Sequence, residues 1–148
     1  METTLYQSYL DILKEELVPA LGCTEPIAIA YASAAARKLL GEIPVHMDVF
    51  CSGNIIKNVK SVTVPNSGGL RGIEAAAILG AIGGNAEKKL EVLEEITETH
   101  CQKTKDLLKT DFCNCHLQEE VANLYIRVEM VGTEHSSQVI INDKHTNI

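Results

Sequence analysis

Tryptophan is absent from the chain and phenylalanine occurs only twice, so Ile, Leu, Val and Ala must build the interior. An excess of basic residues is also lacking. The formal net charge is −7, which argues against nucleic acid and against an anionic membrane surface, since both select a cationic face. No long apolar run is present. The longest charge-free apolar stretch, Pro26 to Ala36, falls well short of the roughly 20 residues that span a bilayer. The opening METTLYQSYL has neither a basic start nor an apolar core, so it does not read as a secretory signal. The expected location is the cytoplasm. Five cysteines, Cys23, Cys51, Cys101, Cys113 and Cys115, make an odd set without a secretion signal. That argues against a disulfide framework and makes reduced thiols the expectation, one of which could be a ligand or nucleophile.

What is present suits a single domain over residues 1–148. The hydrophobic share, 45%, is ordinary for a globular protein, and a chain this long buries about two-thirds of its unfolded surface. Tyr6, Tyr9, Leu10, Leu13 and Leu17 recur at helical spacing and predict an amphipathic helix that stops near Pro19. Thr24 then suits an N-cap, followed by an Ala-rich helix to about Leu40 that is apolar on most faces and therefore buried, with Gly41 at its C-terminal end. Alternation over Val45–Cys51 predicts a strand, and Val62 and Val64 hint at another. A small-residue helix is expected from about Leu70 to Ile82, and a longer one from about Ala86 to Lys109. Alternation returns at Leu124–Met130 and Val139–Ile141, separated by the Gly132-Thr133 turn, with a further strand near Phe112–Leu117. The predicted fold class is α+β. Residues 1–110 form a helical part with the buried Ala-rich helix, and 111–148 a small, mostly antiparallel sheet or hairpin.

Five constellations could carry chemistry. In Gly22-Cys23-Thr24-Glu25-Pro26, a cysteine just before a helix start sits where the helix dipole favours a thiolate; a buried structural cysteine is the alternative. Cys51-Ser52-Gly53-Asn54 with Lys57 and Asn58 follows a strand, and its amide, hydroxyl and ammonium groups could hold an amino-acid carboxylate; a solvated turn is the other reading. Pro65-Asn66-Ser67-Gly68-Gly69 leads into a helix and is either an anion site or a plain helix entry. Cys113, Cys115 and His116, with His100 and Cys101 upstream, have a weak zinc-site spacing. His145-Thr146-Asn147 after the last strand could serve a site or simply end the chain.

Several of these residues carry a family resemblance. The run EELVPALGCTEPIAIAYA, continued through SGNIIKNVKSVTVPNSGG and GIEAAAILGAIGGNAEKKLEVL to HTNI, resembles the start of the L-cysteine desulfidases, which are related to the α part of iron–sulfur L-serine dehydratases. The resemblance covers nearly the whole chain, and GCTEP is its most specific part. It implies that the chain is the N-terminal portion of a longer carbon–sulfur lyase, inactive alone. The implied reaction converts L-cysteine to pyruvate, hydrogen sulfide and ammonia. The implied cofactor is a [4Fe-4S] cluster with Cys23 as one ligand and the others outside this sequence. Asn54, Lys57, Asn58, His145 and Asn147 are the implied substrate-binding residues; no general base is identified. Cys51, Cys101, Cys113 and Cys115 match no family position. An L-serine dehydratase-type ammonia-lyase and a non-catalytic amino-acid-binding module are the alternatives, with a zinc-binding structural domain a third. The partner is a small-molecule substrate, and the chain could form a homodimer.

Overall fold

A computed structural model describes residues 6–13, 25–64, 67–121 and 125–142, with backbone alone at 6–13, 25 and 88–90. The elements are β1 (Tyr6–Leu13), α1 (Glu25–Leu40), β2 (His46–Cys51), α2 (Gly53–Val59), α3 (Ile73–Gly83), α4 (Glu98–Leu108), β3 (Cys113–Leu117), β4 (Tyr125–Val131) and β5 (His135–Asn142). A short 3-10 helix spans Ala86–Glu91 between α3 and α4. The strands form one five-stranded sheet in the order β1-β5-β4-β2-β3. The α+β class stands. The sheet is mixed: β4 is antiparallel to β2 and β5, while the outer ladders β1/β5 and β2/β3 are parallel.

Period-two burial decides which face the helices cover. Met47, Val49 and Cys51 of β2, Ile126, Val128 and Met130 of β4, and Val139 and Ile141 of β5 all face one side and are buried. Helix α1 packs there, and the Ser137 hydroxyl donates to the Ala36 carbonyl oxygen at 2.8 Å. Helix α3 packs on α1. Ala28, Ala30, Ala32, Ala34, Ala35 and Ala36 of α1 and Ala75, Ala76, Ala77 and Ala81 of α3 are all buried. Side chains this small let the two helices approach closely. A Cβ built on Gly80 would lie 2.8 Å from both Ala30 C and Ala30 Cα. No aromatic residue is among the largest fully buried side chains, as the composition requires.

Gly41 follows α1 with φ +84°, and its N–H reaches the Arg37 carbonyl at 2.9 Å. This is the left-handed C-terminal cap that the sequence predicts there. Two expectations are corrected. The helix read over Tyr6–Leu17 is, over its described part, the strand β1. Tyr, Leu and Ile are at home in strands, and the open edge of β5 offers a partner for every residue from Tyr6 (opposite His135) to Leu13 (opposite Asn142). The single helix read over Ala86–Lys109 is interrupted. Val92 and Leu93 turn into the core, and Thr97 starts a new helix by accepting from His100 N while the His100 ring accepts from Thr97 N. No described helix is long and apolar enough to cross a membrane.

Candidate functional site

Strand direction fixes where a site can form. Parallel and antiparallel ladders together run β1, β5, β2 and β3 the same way, with β4 reversed. Ser137 near the start of β5 bonds Ala36 near the end of α1, so α1 runs against β5 and begins at the carboxyl end of that strand. The Cβ positions of Gly80 and Gly84 meet Ala30 and Ala34 in turn, so α3 runs with α1 and begins at the same end. Helix α2 starts there as well, directly after β2. Three helix starts thus gather at the carboxyl edge of four strands. In open sheets with helical crossovers this edge is where ligands bind, and the exposed N–H groups of helix starts favour anions.

Helix α2 holds the predicted substrate residues. Ile55 and Val59 are buried and anchor it. Asn54, Lys57 and Asn58 are exposed, and their spacing of three and four residues puts them on one side of the helix. The structure therefore brings these three together, with amide and ammonium donors on a single surface. Ser52 has a different task. It is buried, and its hydroxyl accepts from Ile55 N at 3.2 Å as the N-cap of α2. No acidic residue occupies the first turn of α2.

The glycine-rich turn before α3 is also mainly architectural. Pro65 and Asn66 lie outside the described residues. The Ser67 hydroxyl accepts from Leu70 N at 2.9 Å and donates to Leu70 O at 3.2 Å, which leaves it buried inside the turn. Gly68, Gly69 and Gly72 have φ of 73°, 102° and 94°, a region that favours glycine. Gly72 is the N-cap of α3 and supplies no side chain to it.

The zinc reading of Cys113, Cys115 and His116 fails on strand geometry. Cys113 and Cys115 lie against the core. His116 points through the other face, where its Nε2 lies 2.9 Å from Asp48 Oδ1. His100, upstream, is occupied in the α4 cap. Among the described residues no group of three or more His, Cys, Asp or Glu side chains could hold a metal ion. The described thiols therefore do not fit an iron–sulfur cluster. Burial and the contact between Cys51 and Cys115 shift three of them in different directions. The hydrogen bond to Cys115, then burial, pushes the Cys51 thiol up. Burial, then the Glu74 carboxylate, pushes Cys113 up. Cys115 goes the other way, held below the usual thiol range chiefly by the hydrogen bond from Cys51.

Cys23, the predicted cluster ligand, lies outside the described residues, as do Gly22, Thr24, His145, Thr146 and Asn147. The elements that flank them do reach the carboxyl edge: α1 begins there at Glu25, and β5 ends there at Asn142.

Sequence reasoning missed a polar network on the face of the sheet opposite the described helices. Asp48 sits between His46, at 3.3 Å, and His116. The Phe50 ring stacks on His116 with centroids 4.6 Å apart, and the Arg127 guanidinium carbon lies 3.9 Å from its centroid. Arg127 also pairs with Glu129 and bonds Gln118 Oε1 at 3.0 Å. The signal was available as the polar half of the alternation in β2 and β4, His46-Asp48-Phe50 and Arg127-Glu129.

Comparison with known proteins finds similarity to UPF0597 proteins. The one from Lachnoclostridium phytofermentans is 56% identical over 144 residues, which cover 97% of this chain and 34% of that protein. The one from Treponema denticola is 47% identical over 150 residues, covering 100% and 34%. The one from Finegoldia magna is 47% identical over 143 residues, covering 96% and 34%. The chain thus spans about a third of the length of the curated relatives it matches. No family model matches it, and no solved structure does. These similarities correct the family resemblance drawn from the sequence. They point to the UPF0597 proteins and not to a fragment of an L-cysteine desulfidase.

Proposed function

We propose that this chain is the substrate-recognition part of a longer cytoplasmic lyase that acts on a small L-α-amino acid, with L-cysteine as first candidate and L-serine as second. One observation carries the reading: Asn54, Lys57 and Asn58 share the exposed side of α2, a seven-residue helix that starts at the edge where three helices begin and carries Lys57 in its last turn. A zwitterionic amino acid presents a carboxylate, and α2 offers N–H dipoles at its start together with two amides and an ammonium along its exposed side. β-Elimination requires the leaving sulfur or oxygen to be activated and a base to take the α-proton. Among the described residues none is placed for either task. Those groups are assigned to the remaining two-thirds of the relatives' length and to Cys23, two peptide units ahead of α1. An iron–sulfur cluster with Cys23 as one thiolate ligand would supply the Lewis acid. This chain alone is then expected to bind substrate without turning it over.

Calorimetric titration of the chain with L-cysteine and L-serine tests the recognition step. Saturable binding that Asn54→Ala and Lys57→Met each weaken at least about tenfold, the scale of one lost charge-assisted contact, supports it. Equal binding by both variants sinks it. Sulfide release from L-cysteine by a protein of the relatives' length, reconstituted anaerobically with iron and sulfide, tests the chemistry. Full activity in its Cys23→Ala variant would remove Cys23 from the reading. A non-catalytic amino-acid-binding module is the second reading, and binding without any lyase activity in the longer protein would favour it.

A further inference from the structure

We propose that Cys115 and Cys51 are a peroxide-responsive thiol pair that closes to a disulfide between β3 and β2. The inference goes beyond amino-acid recognition and stands whether or not the α2 surface binds one.

Register places the two sulfurs together. Val49 pairs with Cys115 and Cys51 with Leu117, so Cys51 and Cys115 are diagonal neighbours on adjacent parallel strands. Both side chains face the helix-covered side, and the interaction between the two thiols shifts their ionisation in opposite senses. Their surroundings differ. Cys51 is fully buried, whereas Cys115 is half-buried on the edge strand β3 and within reach of a small oxidant. Cys115, with its ionisation favoured by the Cys51 hydrogen bond, is the attacking thiolate. Cys51, protonated in the core, is the resolving thiol. Cys113 lies on the same face two residues from Cys115 but opposite Met47, farther from Cys51.

The reaction balances with hydrogen peroxide as the named oxidant. The Cys115 thiolate attacks one peroxide oxygen and breaks the O–O bond, giving Cys115 sulfenic acid. The departing hydroxide takes the proton that Cys115 released. The Cys51 sulfur then attacks the Cys115 sulfur, the S–O bond breaks, and the hydroxyl leaves as water with the Cys51 proton. Two thiols lose two electrons and two protons, and the peroxide becomes two waters. Diagonal neighbours sit roughly 7–8 Å apart at Cα, beyond the relaxed span of a disulfide. Closure must therefore draw β3, the outermost strand of the described sheet, inward, which makes the bond readily reducible. Cys51 directly precedes Ser52, the cap of α2, so closure would also shift the start of the helix that carries Asn54, Lys57 and Asn58.

The test treats the reduced chain with hydrogen peroxide, blocks free thiols, and maps peptides without reduction. The expected product lacks two hydrogen atoms, contains a Cys51–Cys115 cross-linked peptide, and reverts with dithiothreitol. Cys101→Ser leaves this unchanged. Cys115→Ser slows oxidation of Cys51 at least about tenfold. Cys51→Ser stops at a Cys115 sulfenic acid that dimedone traps. Oxidation of Cys101 ahead of Cys115, or conversion of wild-type Cys115 to sulfinic acid with no cross-link, overturns the proposal. The wild-type map decides it even if a variant fails to fold.

Discussion

Replacing Gly80 with alanine should destabilise the fold strongly, although alanine is the better helix former. Helix propensity alone favours Gly80→Ala by about 1 kcal/mol. Against that stands the crossing with α1. The new Cβ would lie 2.8 Å from Ala30 C and Cα, and closer still to the Ala30 carbonyl oxygen. These are backbone atoms of a buried helix, so no side chain can swing away. Relief requires the two helices to part by about 1 Å, which opens the contact along the alanine rows on either side. Overpacking of a tight core costs about 1–3 kcal/mol, and loss of contact along the seam adds to it. A net loss of about 1–2 kcal/mol is therefore expected, read as a lower urea midpoint at unchanged slope. A second variant sharpens the test. Ala30→Gly should not rescue Gly80→Ala, because the atoms in the way are not the Ala30 methyl group. Stability at or above wild type in Gly80→Ala, or full rescue by Ala30→Gly, would refute the close-approach argument.

The start of α4 and the buried thiols give two further tests. Thr97→Ala removes the hydroxyl that caps α4 and should cost about 1 kcal/mol, while Thr97→Asp should retain most of the stability; equal thermal midpoints for wild type and Thr97→Ala would show the cap to be idle. Cys51 and Cys113 are held above the usual thiol range, so the folded protein keeps them neutral where the unfolded chain ionises. Their contribution is complete below the unfolded thiol pKa of about 8.5 and falls above it by about 1.4 kcal/mol per pH unit for each thiol. The lowered Cys115 acts in the opposite sense and offsets part of that loss. Urea midpoints between pH 7.5 and 10 should therefore fall, and the slope should flatten in Cys113→Val; a wild-type profile flat across that range would count against the assignment.

The elements read correctly from sequence are those whose pattern is local. Helix α1 is apolar on most faces and ends at Gly41, and the β4–β5 hairpin declares itself by alternation on either side of Gly132. Strand β1 was hidden because Tyr6, Tyr9, Leu10 and Leu13 satisfy a helical spacing, while the partner that selects the extended form lies at the opposite end of the chain. The break before α4 was hidden because apolar periodicity continues across it, from the 3-10 helix through the turn at 92–95 to the cap at Thr97. In the site, the grouping of Asn54, Lys57 and Asn58 was legible because they lie within one short helix. Sequence alone could not show that Ser52 and Ser67 spend their hydroxyls on their own backbone. Nor could it show that Cys113 and His116 part to opposite faces, because that depends on which side the helices cover.

The pairing of β1 with β5 bears on how the protein is made. A ribosome delivers Tyr6–Leu13 well before His135–Asn142, so β1 has no partner in this sheet until nearly all of the described residues have emerged. The sheet cannot complete during synthesis by simple addition from one side. The β2/β4/β5 portion must assemble and then recruit a segment that has waited with its backbone groups exposed. Closing so long a loop is slow, and unpaired strand edges invite association between chains. Translation rate and chaperone supply should therefore govern the soluble yield of this protein more than its final stability does.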